Sequence, residues 1–191
     1  MFIQTEPTPN PDVLKFLPGR DVLGLGTREL HADDAAASPL AEALFAIEGI
    51  ERVFLGPDFL TVTRDTDMDI DWRQLKAPVL AAIMDHYTSG QPILREGDEA
   101  VAHDEDGVYE GETAQVVAEI KDLLDTRIRP AVAKDGGDIL FNRFDAGTGV
   151  VYLHMRGACS GCPSSSATLR SGVENMLKHY VPEVTRVEAA L

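Results

Sequence analysis

The chain has 191 residues, a mass of 20.7 kDa and a formal net charge of −15 at pH 7. Its 44% hydrophobic and 26% charged residues fit a globular chain and exclude a wholly disordered one. No apolar run reaches the roughly 18 residues that a membrane span needs, and strong acidity opposes binding to phosphate backbones, so neither a membrane nor a nucleic acid is an expected partner.

Residues 1–20 read as extended segments broken by prolines. Phe2-Ile3-Gln4-Thr5 and Leu14-Lys15-Phe16-Leu17 are candidate strands, and Pro7, Pro9 and Pro11 between them forbid a helix. Ser38-Pro39 has the form of an N-cap followed by proline at the first helical position. The helix it opens carries Leu40, Ala43, Leu44 and Ile47 on one face, with Gly49 as its stop. Ile50 to Leu55 and Phe59 to Arg64 are strand-like runs around the turn Gly56-Pro57-Asp58, a hairpin. A second amphipathic helix places Trp72, Leu75, Val79, Ala82, Ile83 and His86 at helical spacing.

Asp65, Asp67, Asp69 and Asp71 alternate just before that helix. They invite a calcium-loop reading, but the central glycine and terminal bidentate glutamate of such a loop are missing, and acidic residues suit a helix N-terminus without any metal. Trp72 reads as a packing residue.

Charge divides the chain unevenly: residues 1–90 carry a net −8, residues 91–111 carry −6 and residues 112–191 carry −1. Residues 91–111 also lack a sustained period, so they read as an acidic flexible linker spanning about 25 Å on average. His103 within it reads as a solvated side chain. The fold class expected is therefore α+β: two small mixed α/β domains, 1–90 and 112–191, joined by that linker.

The second domain opens with a helix predicted from about Thr113 to Ala133, its stripe made by Val116, Val117, Ile120, Leu123, Leu124, Ile128 and Ala131. Pro130 is placed to kink or shorten it. Asp135-Gly136-Gly137-Asp138 stops it, since glycine accepts the left-handed conformation of a C-cap. Strands from Ile139 to Phe144 and from Val150 to Met155 follow, joined by Asp145-Ala146-Gly147-Thr148-Gly149. After the second strand comes Gly157-Ala158-Cys159-Ser160-Gly161-Cys162-Pro163. Pro163-Ser164-Ser165-Ser166 then leads into a last helix bearing Leu169, Val173, Met176, Leu177 and Tyr180, and Val184 to Val187 could add a third strand.

Cys159 and Cys162 are the only two cysteines. Two thiols and no export signal argue against a disulfide framework and for metal or redox chemistry. A pair of buried structural thiols is disfavoured because glycine and serine flank both positions. The order strand, tight loop, helix sets the pair just before or at a helix N-terminus, where unpaired N–H groups and the helix dipole favour thiolates and an anionic centre. Gly157 and Gly161 would let the backbone come close to such a centre.

Four readings of the pair compete. A closed zinc site needs four ligands, and His154 and His179 do not have finger spacing; each reads better as an ordinary sheet or helix residue. A thioredoxin-like thiol–disulfide oxidoreductase is the serious alternative, although only 29 residues follow Cys162. An iron–sulfur cluster takes four thiolates, so two chains of a homodimer would supply the set, and a cluster held between subunits would be easily released. An adaptor in which the thiols only order a dimer ranks last.

Asp135-Gly136-Gly137-Asp138, the hairpin and Gly157-Ala158-Cys159-Ser160-Gly161-Cys162-Pro163 with Ser164-Ser165-Ser166 resemble the C-terminal domain of NifU and the Nfu proteins. Gln4-Thr5-Glu6-Pro7-Thr8-Pro9-Asn10-Pro11 with Leu14-Lys15-Phe16 and Pro18 resembles the Nfu N-terminal domain. The resemblance implies a scaffold or carrier, not an enzyme. It would assemble a [4Fe–4S] cluster on Cys159 and Cys162 of each of two subunits, or a [2Fe–2S] centre on the same thiols. It would take part in cluster assembly downstream of another scaffold and pass the cluster to apo-proteins. The first residues have neither a basic nor an apolar leader pattern, and a mitochondrial relative would begin with a basic transit segment, so the expected location is the bacterial cytoplasm.

Overall fold

A computed structural model describes residues 2–98, 108–160 and 163–190, and of residues 163–166 the backbone alone. The chain divides into two compact units, Met1–Ala102 and His103–Leu191. Both mix helices and sheet, as an α+β chain should.

In the first unit five strands form one antiparallel sheet in the order β1-β2-β5-β4-β3. They are β1 (Gln4–Pro7), β2 (Val13–Leu17), β3 (Arg28–His31), β4 (Ile50–Leu55) and β5 (Leu60–Arg64). Alternation decides the faces. Leu14, Val62, Val53 and Leu30 stand in register across the sheet, with Phe16, Leu60 and Leu55 two residues along, and they point into the core. Lys15, Thr61, Phe54 and Glu29 occupy the opposite face, where the Lys15 ammonium lies over the Phe59 ring at 4.7 Å.

Helices α1 (Pro39–Phe45) and α2 (Trp72–Ser89) cover the inner face. Ser38 caps α1 by accepting a hydrogen bond from the Ala41 N–H at 3.2 Å. The helix ends at Phe45, earlier than Gly49, which instead turns the chain into β4 at φ +93°. Asp71 makes a capping box with Gln74 at the start of α2, and its side chain takes the Arg73 N–H at 2.8 Å. The alternating aspartates therefore start a helix: Asp65 accepts the Asp67 N–H at 2.8 Å, and Asp71 is the cap. Trp72 packs at 6.4 Å from the Phe16 ring and donates to the Pro11 carbonyl at 3.2 Å. β3 and the 3₁₀ turn Ala32–Ala37 were not legible in the sequence.

Part of the stretch read as linker is attached to its neighbours. Ile93 and Leu94 pack on the first core, the Arg95 N–H donates to the Ala37 carbonyl at 2.9 Å, and the Arg95 guanidinium reaches the Ala36 carbonyl and Glu42. Residues 99–107, His103 among them, lie outside the described residues. Tyr109 then packs on the second core, edge-on to Phe141, and its hydroxyl accepts the Phe144 N–H at 2.8 Å.

The second unit replaces the single long helix expected from about Thr113 to Ala133 with three pieces. These are α3 (Gly111–Leu123), a π-helical segment Leu124–Ile128 and α4 (Arg129–Lys134). Pro130 explains the change: it has no N–H to give and crowds the carbonyl four residues back, and the wider turn ahead of it accommodates both. The sheet has the order β6-β7-β8. β6 (Gly137–Asp145) and β7 (Val150–Gly157) form the hairpin; β6 is longer at both ends than the sequence indicates, and β7 starts where expected and runs two residues further. α5 (Pro163–Tyr180) crosses over to β8 (Arg186–Ala189), which runs parallel to β7 two residues later than expected. The core lies between the helices and Ile139, Phe141, Val151 and Leu153 of the hairpin.

Candidate metal centre

The site is built where β7 gives way to α5. Gly157 closes the strand at φ +63°, a left-handed value that favours glycine. Its carbonyl accepts the Ser160 N–H at 3.1 Å and the Ser160 hydroxyl at 2.9 Å, so the chain reverses within four residues. The Ala158 N–H donates to the Gly136 carbonyl at 3.1 Å, tying the turn to the residue before β6.

Cys159 sits inside this turn, is only 5% exposed and belongs to the core of the second unit. This corrects, for Cys159, the expectation that flanking glycine and serine keep the thiols out of the core: the turn folds the side chain inward in spite of them. Gly161 and Cys162, the second thiol predicted for the site, lie outside the described residues; α5 starts at the next position, Pro163.

The Asp-Gly-Gly-Asp motif supplies the opposite wall. Gly136 ends α4 with φ +84°, and its N–H donates to the Ala133 carbonyl at 3.1 Å, as a C-cap glycine does. Gly137 pairs with Gly157 in the β6–β7 ladder. A methyl group on Gly137 would overlap the Cys159 sulfur and lie 2.8 Å from the Arg156 carbonyl oxygen.

Asp138 is 4% exposed and is clamped by Arg129, Nε to Oδ1 at 2.9 Å and Nη2 to Oδ2 at 3.0 Å. Its Oδ1 also accepts the Ile139 N–H at 2.9 Å, and Arg129 reaches Asp125 at 2.9 Å. Burial works against the Arg129 charge, but the hydrogen bonds to Asp138 and Asp125 outweigh it and hold the guanidinium above its ordinary value. The clamp fixes the start of β6 to α4, and with it the wall facing Cys159. Neither role was read from the sequence. The signal was there: a helix stop needs one glycine, and the motif has two.

His154 and His179 are engaged elsewhere. His154 Nε2 lies 2.9 Å from the Asn142 amide, and His179 packs edge-on to the Tyr180 ring at 4.8 Å. Among the described residues no three His, Cys, Asp or Glu side chains converge as a metal site, the alternating aspartates included, and no helix is long and apolar enough to cross a membrane.

The family described as "Scaffold protein Nfu/NifU N terminal" matches residues 3–90, and the family described as "NifU-like domain" matches residues 120–188. NifU-like protein 5, mitochondrial, of Arabidopsis thaliana is 52% identical over 98% of the chain, which spans 67% of that relative. NifU-like protein 4, mitochondrial, of the same plant is 51% identical over 98% of the chain and 65% of its own length. The human NFU1 iron-sulfur cluster scaffold homolog, mitochondrial, is 47% identical over 100% of the chain and 72% of its own length. The chain thus spans about two thirds of the curated relatives it matches.

These names overturn the expected bacterial cytoplasm and point to the mitochondrion. That expectation rested on the first residues alone, which carry little weight in a chain shorter than its relatives. With about half its residues identical to these relatives from end to end, the chain belongs to the Nfu family of NifU-like proteins.

Proposed function

We propose that the protein is an iron–sulfur cluster scaffold and carrier. In this reading Cys159 and Cys162 of two chains together hold one [4Fe–4S] cluster, and the protein gives it to apo-proteins without catalytic turnover. The observation that carries the reading is the ligand count. The NifU-like domain of this chain holds two thiols, the only two of the sequence, whereas a cluster takes four thiolates. A relative 47% identical to this chain is named an iron-sulfur cluster scaffold homolog, which supports the same class of cargo.

The start of α5 directly after Cys162 supports anion binding, because helix N-termini favour thiolates and sulfides accept backbone N–H bonds. Transfer is ligand exchange. An acceptor thiol bonds to a cluster iron as the bond from Cys159 or Cys162 breaks, and its proton ends on the departing thiolate. Iron and sulfide keep their charges. The partners are apo iron–sulfur proteins and an upstream scaffold that supplies the cluster. The acidic first unit is suited to steering basic acceptors and repelling acidic ones.

Anaerobic reconstitution with ferrous iron and sulfide, followed by Mössbauer spectroscopy, tests the site. The expected result is a [4Fe–4S] signature lost in Cys159→Ala and in Cys162→Ala. A [2Fe–2S] spectrum would keep the carrier and change the cargo. Tight zinc in a single chain, or efficient disulfide reduction by the metal-free protein, would overturn the proposal in favour of a closed metal site or a thioredoxin-like dithiol.

A further inference from the structure

Two glycines stand together where α4 gives way to β6, Gly136 before the strand and Gly137 as its first residue, and only Gly136 has a conformational reason to be there. Gly136 holds φ +84°, whereas Gly137 is absent from the positive-φ glycines of the chain, so its backbone would admit any L-residue. What excludes a side chain at 137 is its surroundings. A Cβ there would overlap the Cys159 sulfur, approach the Arg156 carbonyl oxygen to 2.8 Å and approach the Cys159 nitrogen to 3.1 Å. The sulfur therefore rests in the space that a side chain at 137 would fill.

The rest of the turn keeps it there. Gly137 faces Gly157 across the ladder, the Ala158 N–H holds the Gly136 carbonyl, and Asp138 is clamped by Arg129 on the next residue of the same strand. Cys159 is 5% exposed as a result.

We infer that Gly137 is a positioning residue for Cys159: the missing side chain forms a seat in which the thiol is stowed in the cluster-free chain. The inference rests on the carrier reading for its purpose, since a stowed thiol is shielded from oxidants and stray electrophiles until iron and sulfide arrive. To ligate a cluster shared with a second chain, the thiol leaves the seat, and a local opening of the Gly157–Ser160 turn is the smallest movement that frees it.

The test uses metal-free protein, so it stands or falls separately from cluster binding. In the full chain carrying Cys162→Ser, alkylation of Cys159 by iodoacetamide is followed by mass spectrometry. Gly137→Ala is expected to speed alkylation by about tenfold or more, because the methyl group pushes the sulfur out of its seat. Val187→Ala, a loosening of the same unit on β8 opposite Val151, should leave the rate within about twofold. Alkylation of Gly137→Ala at the parent rate, or an equal rise in Val187→Ala, overturns the inference. Should Gly137→Ala not fold, the parent decides. A seated thiol reacts about tenfold or more slowly in the native chain than in urea, and equal rates refute the seat. If the parent shows the seat but the chain with both cysteines takes up no cluster on reconstitution, the carrier reading fails while the positioning role survives.

Discussion

Asp138 and Arg129 form the best-shielded ion pair of the second unit among the described residues, with side chains 5% and 23% exposed. A bidentate pair this dry keeps its value only while both partners are present, because removing one leaves a buried charge uncompensated. Asp138→Asn should lower stability by about 2 kcal/mol, less than a fully buried pair would lose, since Arg129 keeps Asp125. Urea unfolding followed by far-ultraviolet circular dichroism measures it, and an unchanged midpoint would contradict the clamp. At this scale the sequence marks the candidate thiols and conceals what packs against one of them. Cys159 and Cys162 stand out by their count and spacing. Gly137 and Asp138 look like part of a helix stop, and their function depends on strand pairing with residues about twenty positions downstream, which no local pattern encodes.

The elements that came out of the sequence unaided are those with chemical punctuation. Ser38-Pro39, the turn Gly56-Pro57-Asp58 and Asp71 each mark a boundary that the structure keeps within a residue or so. Ser38→Ala should cost about 1 kcal/mol, the ordinary value of a lost N-cap. Trp72 is the only tryptophan and belongs to the first unit, so its fluorescence reads that unit's unfolding in the full chain. β3 was missed because Arg28–His31 alternates over four residues only and is completed by its partner β4. The break in the long helix was half legible: Pro130 announced it, but the π-helical form of the adjustment depends on packing.

α2 also carries a pH-sensitive residue. His86 is 6% exposed, its Nε2 has no hydrogen-bond partner, and burial pushes its imidazole below the ordinary value of 6.5. The unfolded chain therefore takes up a proton that the folded chain refuses. The stability so contributed is complete above about pH 6.5 and declines as pH falls below it. Glu42 and Asp71, held below the carboxylate range by Arg95 and Arg73, lose their contribution only at more acidic pH, so they do not obscure this window. The urea midpoint read by Trp72 should fall between about pH 7.5 and 5.5, and His86→Gln should flatten that slope. An identical slope in the variant would show that His86 is not its source.

For the whole molecule, the two-part organisation follows from composition, with an acidic, aperiodic stretch between two patterned ones. The attachment of Ile93, Leu94 and Arg95 to the first unit and of Tyr109 to the second depends on tertiary contacts that composition does not reveal. If the acidity of the first unit steers acceptors, the rate of cluster delivery to a basic acceptor should fall with added salt, and removing the charge of exposed Asp33 and Asp34 as amides should weaken that dependence. A salt-independent rate would remove the steering role. The central claim, one cluster shared by two chains through four thiolates, is tested most directly by anaerobic native mass spectrometry of the reconstituted protein. The expected result is a species of twice the 20.7 kDa chain mass carrying a single [4Fe–4S] cluster, and its disappearance in Cys159→Ala. A cluster or a zinc ion found on single chains, with no cluster-bearing dimer, would contradict it.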